Sequence, residues 1–164
     1  MISHVFDAVR QSVFAPSVVV TGYDEIALMA EKNGFQVVYN EHPELGQSQS
    51  VVLGVQKTAQ SEGWMFFNGD MPWLRSDTIE KLLKHADPAH IVVPKYGGRP
   101  GQPVYFPAIF KEELLTLTGD HGGRTIIRSH PDSVCYVEID NIRQGVDIDT
   151  PESYERVKRG DWVE

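Results

Sequence analysis

The sequence predicts an α/β domain, with a mostly parallel β-sheet flanked by helices. Three observations lead there. Short β-branched or aromatic runs recur along the chain, centred on Val19, Val37, Phe66, Val92 and Val137. Stretches with apolar residues at helical spacing separate most of them, which is the pattern of strand–helix–strand crossovers. Such crossovers are right-handed and place successive strands parallel. No repeat, low-complexity segment or linker divides residues 1–164, so a single domain is expected.

The elements follow in order. Ile2, Val5, Phe6, Val9 and Val13 recur at helical spacing and predict an amphipathic helix over 2–14. Ser17-Val18-Val19-Val20-Thr21 is a β-branched strand ended by Gly22. A helix is predicted over 24–33, stopped by Asn33-Gly34. The strand 36–39, a polar loop and a helix over 48–60 come next. Trp64-Met65-Phe66-Phe67-Asn68 reads as a buried strand that halts at Asn68-Gly69-Asp70. Asp77-Thr78-Ile79-Glu80 has the spacing of a capping box for a helix with Ile79, Leu82 and Leu83 facing inward. Residues 91–94 form a further buried strand. A glycine-rich turn over 96–103 and a strand over 104–106 follow. Helices are predicted over 108–117 and 123–129, and a strand over 134–139. Thr150 caps a last helix with Pro151 at its first position. Segment 95–135 interrupts the alternation and is expected to elaborate one edge of the sheet.

Composition excludes several classes of function. The formal net charge of −8 lacks the basic footprint of a nucleic-acid binder. No apolar run approaches a membrane span, and residues 1–14 do not resemble a signal peptide, so a cytoplasmic setting is expected. The single cysteine, Cys135, permits neither an internal disulfide nor a cysteine zinc cage, and inside a strand it reads as a small core residue. The histidines at 42, 85, 90, 121 and 130 have no zinc-ligand spacing.

Candidate chemistry starts at Asp70. A carboxylate just past a buried strand lies where open α/β sheets bind ligands, and Met71-Pro72 then directs the chain out of the sheet. A simple turn is the competing explanation. Asp147 and Asp149 alternate on an extended segment, so both point to one face. They are either solvated acids ahead of a helix or, with Asp70, carboxylates for a metal ion. Gly46-Gln47-Ser48-Gln49-Ser50 enters a helix through small polar residues, with Ser48 or Ser50 as N-cap or with free N–H groups facing a base or phosphate. Gly97-Gly98-Arg99-Pro100-Gly101-Gln102-Pro103 reads as a hairpin turn or as a rigid loop against a flat or phosphorylated ligand. Gly119-Asp120-His121-Gly122-Gly123-Arg124 has the same character. Each loop supplies an arginine fork suited to phosphate oxygens.

These motifs, in this order, resemble the molybdenum cofactor cytidylyltransferases of the molybdopterin nucleotidyltransferase family. The resemblance is carried by Gly46 to Ser50, by Gly69-Asp70-Met71-Pro72, by Gly98 to Pro103 with Gly119 to Arg124, and by Asp147-Ile148-Asp149-Thr150-Pro151. Gln102 departs from the histidine usual in the family. The resemblance implies a Rossmann-like nucleotidyltransferase sheet and transfer of CMP from CTP to the molybdopterin-bound cofactor, with release of pyrophosphate. It implies Mg²⁺ on Asp70 with Asp149 or Asp147. It implies a nucleotide site at Gly46, Gln47, Ser48, Ser50, Asn68 and Gly69, and a molybdopterin site at Gly98, Arg99, Gly101, Gln102, Pro103, Gly119, Asp120, Gly122 and Arg124. A molybdoenzyme client and an oligomeric state are further partners it allows. The family's opening strand and glycine-rich triphosphate loop have no counterpart here, since Ile2 to Val5 aligns with the helix after that loop. The chain is therefore expected to lack the usual first strand, to leave unpaired strand edges, and to bind CTP poorly. The alternatives are a pterin- or nucleotide-binding module of impaired catalysis and a sugar-phosphate nucleotidyltransferase.

Overall fold

The computed structural model describes residues 1–14, 16–148 and 150–159 of the chain. Helices α1 (Ile2–Arg10), α2 (Asp24–Lys32), α3 (Gln47–Lys57), α4 (Ser76–Leu83), α5 (Lys111–Leu115), α6 (Arg124–Ser129) and α7 (Pro151–Arg159) surround seven strands. These are β1 (Val18–Thr21), β2 (Gln36–Tyr39), β3 (Gly63–Phe66), β4 (Ile91–Tyr96), β5 (Arg99–Pro100), β6 (Val104–Pro107) and β7 (Val134–Ile139). The α/β architecture predicted from the sequence is present, and most elements lie within a few residues of their expected bounds. Two helices are shorter than expected, because α1 ends at Arg10 and α3 at Lys57.

The strands form two groups. β1 and β2 pair in parallel, Val18 opposite Gln36. β3, β6, β4, β5 and β7 form a second sheet, in which β4 and β7 are parallel, β6 runs antiparallel to both β3 and β4, and the short β5 runs antiparallel to β4. The placement of β6 corrects the expectation that segment 95–135 decorates an edge. The chain turns back through the short β5 hairpin and lays Val104–Pro107 between β3 and β4, inside the sheet. Val104 and Phe106 are buried there, as an interior strand requires.

β1 and β3 are not hydrogen-bonded to each other, and their Cα atoms stay mostly beyond 8 Å. Paired strands lie about 4.8 Å apart. Among the described residues, β1 and β3 therefore each carry one edge with no strand paired to it. The two groups nevertheless share helices. Val5, Phe6, Ala8 and Val9 of α1 are buried in one core with Val19 and Val37 from β1 and β2 packed against it beside Met65 and Phe67. On the other face, Val55 of α3 is buried with Trp64 and Phe106, and Gly54 of α3 approaches Val20.

Side-chain bonds fix the direction of the strands. Asn40, just after β2, donates through Nδ2 to Ser50 Oγ at 3.1 Å, and its N–H donates to the Thr21 carbonyl at the end of β1. Gln47 Nε2 donates to Asn68 Oδ1, just after β3, at 3.5 Å. The carboxyl ends of β1, β2 and β3 thus all lie at the amino end of α3, and the three strands run the same way.

The capping box at Asp77 is not formed. Arg75 is the N-cap of α4, and no side chain caps it. Asp77 Oδ1 instead accepts from the Thr78 N–H at 2.7 Å and from Gln144 Nε2 at 3.3 Å, while Gln144 Oε1 accepts from the Arg75 N–H at 2.9 Å. A buried glutamine from a distant turn supplies what the local motif does not. Thr150 does cap α7, its Oγ1 accepting from the Ser153 N–H at 3.1 Å. Among the described residues, no helix is long and apolar enough to cross a membrane.

Candidate active site at the carboxyl ends of the strands

Asp70 lies four residues beyond the end of β3 and is half-buried, with Oδ1 shut away from solvent. Its carbonyl accepts the N–H of Ile148 at 3.1 Å. That bond joins two acidic motifs 78 residues apart in the chain and sets Asp147 beside the Asp70 segment. Ile148 is buried at this junction, and Asp147 is exposed. Asp149 lies outside the described residues. Among the described residues, no three His, Cys, Asp or Glu side chains form a metal-binding group. The donors that are described are carboxylate oxygens at the mouth of a sheet, the chemistry that suits a hard divalent cation.

Tyr96, which sequence reasoning passed over, organises this edge. It is 8% exposed, and its hydroxyl donates to the Gln102 carbonyl at 2.7 Å. A methyl group at Gly145 would overlap its ring, and one at Gly101 would lie 2.9 Å from it. Burial pushes the Tyr96 phenol well above its ordinary value, and the facing Asp147 carboxylate pushes it further in the same direction. One ring therefore holds the 99–102 hairpin against the turn that leads into Asp147. The sequence signal for it was only the pair of glycines that make room.

The second half of the site is built on α3. Its N-cap is Gly46, at φ 88° and ψ −179°, so the expectation that Ser48 or Ser50 caps the helix is corrected. No side chain caps this end; the Gln49 N–H donates to the Gly46 carbonyl at 3.2 Å, which leaves the Gln47 and Ser48 N–H groups without a partner inside the helix. Ser48 is fully buried, and its hydroxyl has no partner among the described residues. Ser50 is engaged by Asn40. The loop around Gly119 closes over the same helix end. A methyl group at Gly46 would overlap Asp120 Oδ1 and lie 2.6 Å from the Gly119 carbonyl, and one at Gly122 would lie 3.1 Å from Gln47 Oε1.

The predicted site residues thus fall into two adjoining groups. Gly46, Gln47, Ser48, Asn68, Gly119, Asp120 and Gly122 converge on the α3 terminus. Asp70 follows Asn68 by two residues and is tied to the Asp147 segment through the Ile148 bond, and Tyr96 holds Gln102 and Gly101. Gly69 is exposed and packs against Ile2 of α1. Pro103 is buried at the entry to β6. Gly98, Arg99 and Arg124 are exposed, with Gly98 and Arg99 at the tip of the β4–β5 hairpin and Arg124 at the start of α6. Arg99 and Arg124 are exposed cations, one in each glycine loop.

Residues 1–134 match the MobA-like NTP transferase domain. No curated protein matches the chain. Among solved structures, a nucleotidyl transferase from Methanothermobacter thermautotroptrophicus superposes with a TM-score of 0.82 at 21% identity, over 98% of this chain and 79% of that one. Rv0371c from Mycobacterium tuberculosis H37Rv, in a complex with manganese, gives 0.76 at 23% identity, over 95% and 84% of the two chains. CMP:2-keto-3-deoxy-manno-octonic acid synthetase, complexed with CTP, gives 0.75 at 13% identity, over 96% and 86%. At these identities the likeness is one of fold, a Rossmann-like sheet with helices on both sides. The sequence match is the stronger finding because it spans most of the chain and contains Asp70, the α3 terminus and both glycine loops, so the chain belongs to the MobA-like NTP transferase family, enzymes that transfer nucleotidyl groups.

Proposed function

We propose that the chain transfers CMP from CTP to the molybdopterin-bound molybdenum cofactor, releasing pyrophosphate. The observation that carries this is the Ile148–Asp70 backbone bond, which sets the acidic segment at 147 against the strand end at Asp70. Asp70 and Asp147, with Asp149, would hold Mg²⁺. The manganese complex of Rv0371c supports a divalent cation in this fold. Such a cation, when bound, offsets phosphate charge as pyrophosphate departs.

The chain's own residues account for positioning. The uncapped first turn of α3 offers N–H groups to the nucleotide, whose negative charge that helix end favours. Gln47 and Asn68 line the same place with hydrogen-bonding amides. Gly119 and Gly122 allow the loop to approach the helix closely, and Arg99 and Arg124 supply exposed cationic forks for the phosphates of the acceptor. A terminal phosphate oxygen of the acceptor attacks the α-phosphorus of CTP, forming a new P–O bond as the bond to pyrophosphate breaks. Positioning in that geometry, together with the charge neutralisation a bound cation would supply, would account for most of the acceleration.

Two alternatives stay open to the same assay. The CTP-bound synthetase of shared fold makes a sugar-acid acceptor the second reading. A binding module of impaired catalysis is the third, favoured by the open edges of β1 and β3. Pyrophosphate release is measured with Mg-CTP and either molybdopterin or 2-keto-3-deoxy-manno-octonic acid. Release with molybdopterin alone is expected. Release only with the sugar acid replaces the acceptor, and no release from folded protein refutes catalysis by this chain.

A further inference from the structure

One face of α1 walls a groove of about 620 Å³, and the segment 72–76 forms the opposite wall. That volume lies within the range of small-molecule sites, roughly 300–1,000 Å³. Ala8 and Leu74, both buried, give the groove an apolar floor. Ile148 lines it as well, and the Ile148 N–H is bonded to the Asp70 carbonyl, so the groove reaches the Asp70 junction. Ser76 Oγ donates to Gln11 Oε1 at 3.5 Å and links the two walls.

Asp7 and Gln11 lie four residues apart, which sets them side by side on the helix. Gln11 is the C-cap of α1 and keeps right-handed helical backbone, so the spacing holds to the end. Both are exposed and line the groove. The Asp7 carboxylate only accepts hydrogen bonds. Gln11, with Oε1 engaged by Ser76, presents Nε2, which only donates. Trp73, half-buried on the other wall, adds an aromatic face. Met1 lines the groove too, and its neighbour Ile2 packs against Gly69, so that end lies nearest Asp70. From Met1 to Asp7 is about 9 Å of helix at roughly 1.5 Å per residue.

We propose that this groove binds a flat nitrogen heterocycle through its 2-amino-4-oxopyrimidine edge. Asp7 accepts from the amino group and the adjacent ring N–H, Gln11 Nε2 donates to the ring carbonyl, and Trp73 covers one face of the ring. The edge presents donor, donor and acceptor, the complement of what Asp7 and Gln11 offer in order along the helix. Pterin and guanine share it. A pterin held there has about 9 Å of groove in which to extend a phosphate-bearing chain toward Asp70, which leaves the glycine loops to its phosphate. That placement of the acceptor ring rests on the nucleotidyl-transfer reading, whereas the contact with Asp7 and Gln11 rests on the groove alone.

Titration calorimetry, without CTP or metal, measures binding to the wild-type protein, Asp7→Asn and Gln11→Leu. The probes are 6-hydroxymethylpterin and GMP, each against its 2-deamino analogue. The wild-type protein is expected to prefer the amino member of a pair by about tenfold, the scale of one charge-assisted hydrogen bond. Asp7→Asn should bring that preference close to one, by weakening the amino member alone. Gln11→Leu should weaken both members alike, since both keep the carbonyl. A response of the pterin pair supports the groove as the seat of the acceptor ring. A response of the GMP pair alone supports the contact and counts against a pterin acceptor. A preference that survives Asp7→Asn, or equal losses for both members in that variant, overturns the proposal. A wild-type protein that binds none of the four overturns it too. Pyrophosphate release from Mg-CTP and molybdopterin, measured on the same preparation, reports on nucleotidyl transfer separately. Both substituted side chains are exposed, and unchanged melting temperatures of the variants confirm that the losses arise in the groove.

Discussion

Gly46→Ala tests the junction between α3 and the 119–122 loop. Gly46 sits at φ 88° and ψ −179°, a combination open essentially to glycine alone. An alanine held there costs roughly 1–3 kcal/mol in backbone strain. The added methyl group would also overlap Asp120 Oδ1 and lie 2.6 Å from the Gly119 carbonyl oxygen and carbon. Asp120 can swing aside, because it is an exposed side chain. The Gly119 backbone can move only by carrying its loop off the helix. The two effects together predict a loss of roughly 2–4 kcal/mol, a large fraction of the 5–15 kcal/mol typical of a domain. Urea unfolding followed by tryptophan fluorescence measures it, Trp64 being buried in β3. A fall in melting temperature of about 5–15 °C is expected at this chain length. Nucleotide affinity should fall as well, since the displaced loop covers the first turn of α3. A change within about 0.5 kcal/mol, ordinary for a surface site, would refute both the backbone geometry and the packing of the loop.

Further predictions concern the sheet, Tyr96 and the arginines. Amide exchange should be fast at the N–H groups of Val18–Thr21 and Gly63–Phe66 that point into the space between β1 and β3, and slow throughout β4; uniform protection would mean that the two strand groups are joined. Tyr96→Phe removes a buried hydrogen bond and should cost about 0.5–1.5 kcal/mol at neutral pH in a denaturant titration. The Tyr96 phenol is raised in the folded state, so stability is undiminished below its unfolded value near 10 and falls as pH climbs above it, by up to about 1.4 kcal/mol per pH unit. The phenylalanine variant should lose that part of the alkaline slope, and an identical slope in both proteins would show that Tyr96 is not the group responsible. Arg99→Ala should weaken pterin binding much more than nucleotide binding in parallel titrations; equal losses would count against the hairpin as an acceptor site.

The parts of the fold that were legible in the sequence were those set by local pattern. The β-branched runs at Val18, Val37, Ile91 and Val134 became strands, and Thr150-Pro151 began a helix. What stayed hidden depended on partners far along the chain. Val104-Tyr105-Phe106 looked like a strand, but nothing local places it between Trp64 and Val92. Asp77 had the spacing of a capping box, and a glutamine 67 residues away took its place. Ser48 and Ser50 looked like caps because hydroxyl side chains favour that position, yet a glycine with positive φ begins the helix and Ser48 is buried behind it. The site shows the same division. Asp70 and the glycine loops stood out by composition, whereas the Tyr96–Gln102 and Gln47–Asn68 contacts exist only once distant segments are brought together.

The central claim is that Asp70 and the acidic segment at Ile148 form a cation site that serves a bound nucleotide. Electron paramagnetic resonance of Mn²⁺ titrated into the protein with CTP, for the wild type and Asp70→Asn, tests it most directly. The substitution preserves size and removes charge. The account predicts a bound Mn²⁺ signal for the wild type that appears together with CTP, and at least tenfold weaker binding in the variant, on the order of 1.4 kcal/mol or more. Equal Mn²⁺ affinity in the two proteins, with CTP bound to both, would contradict it.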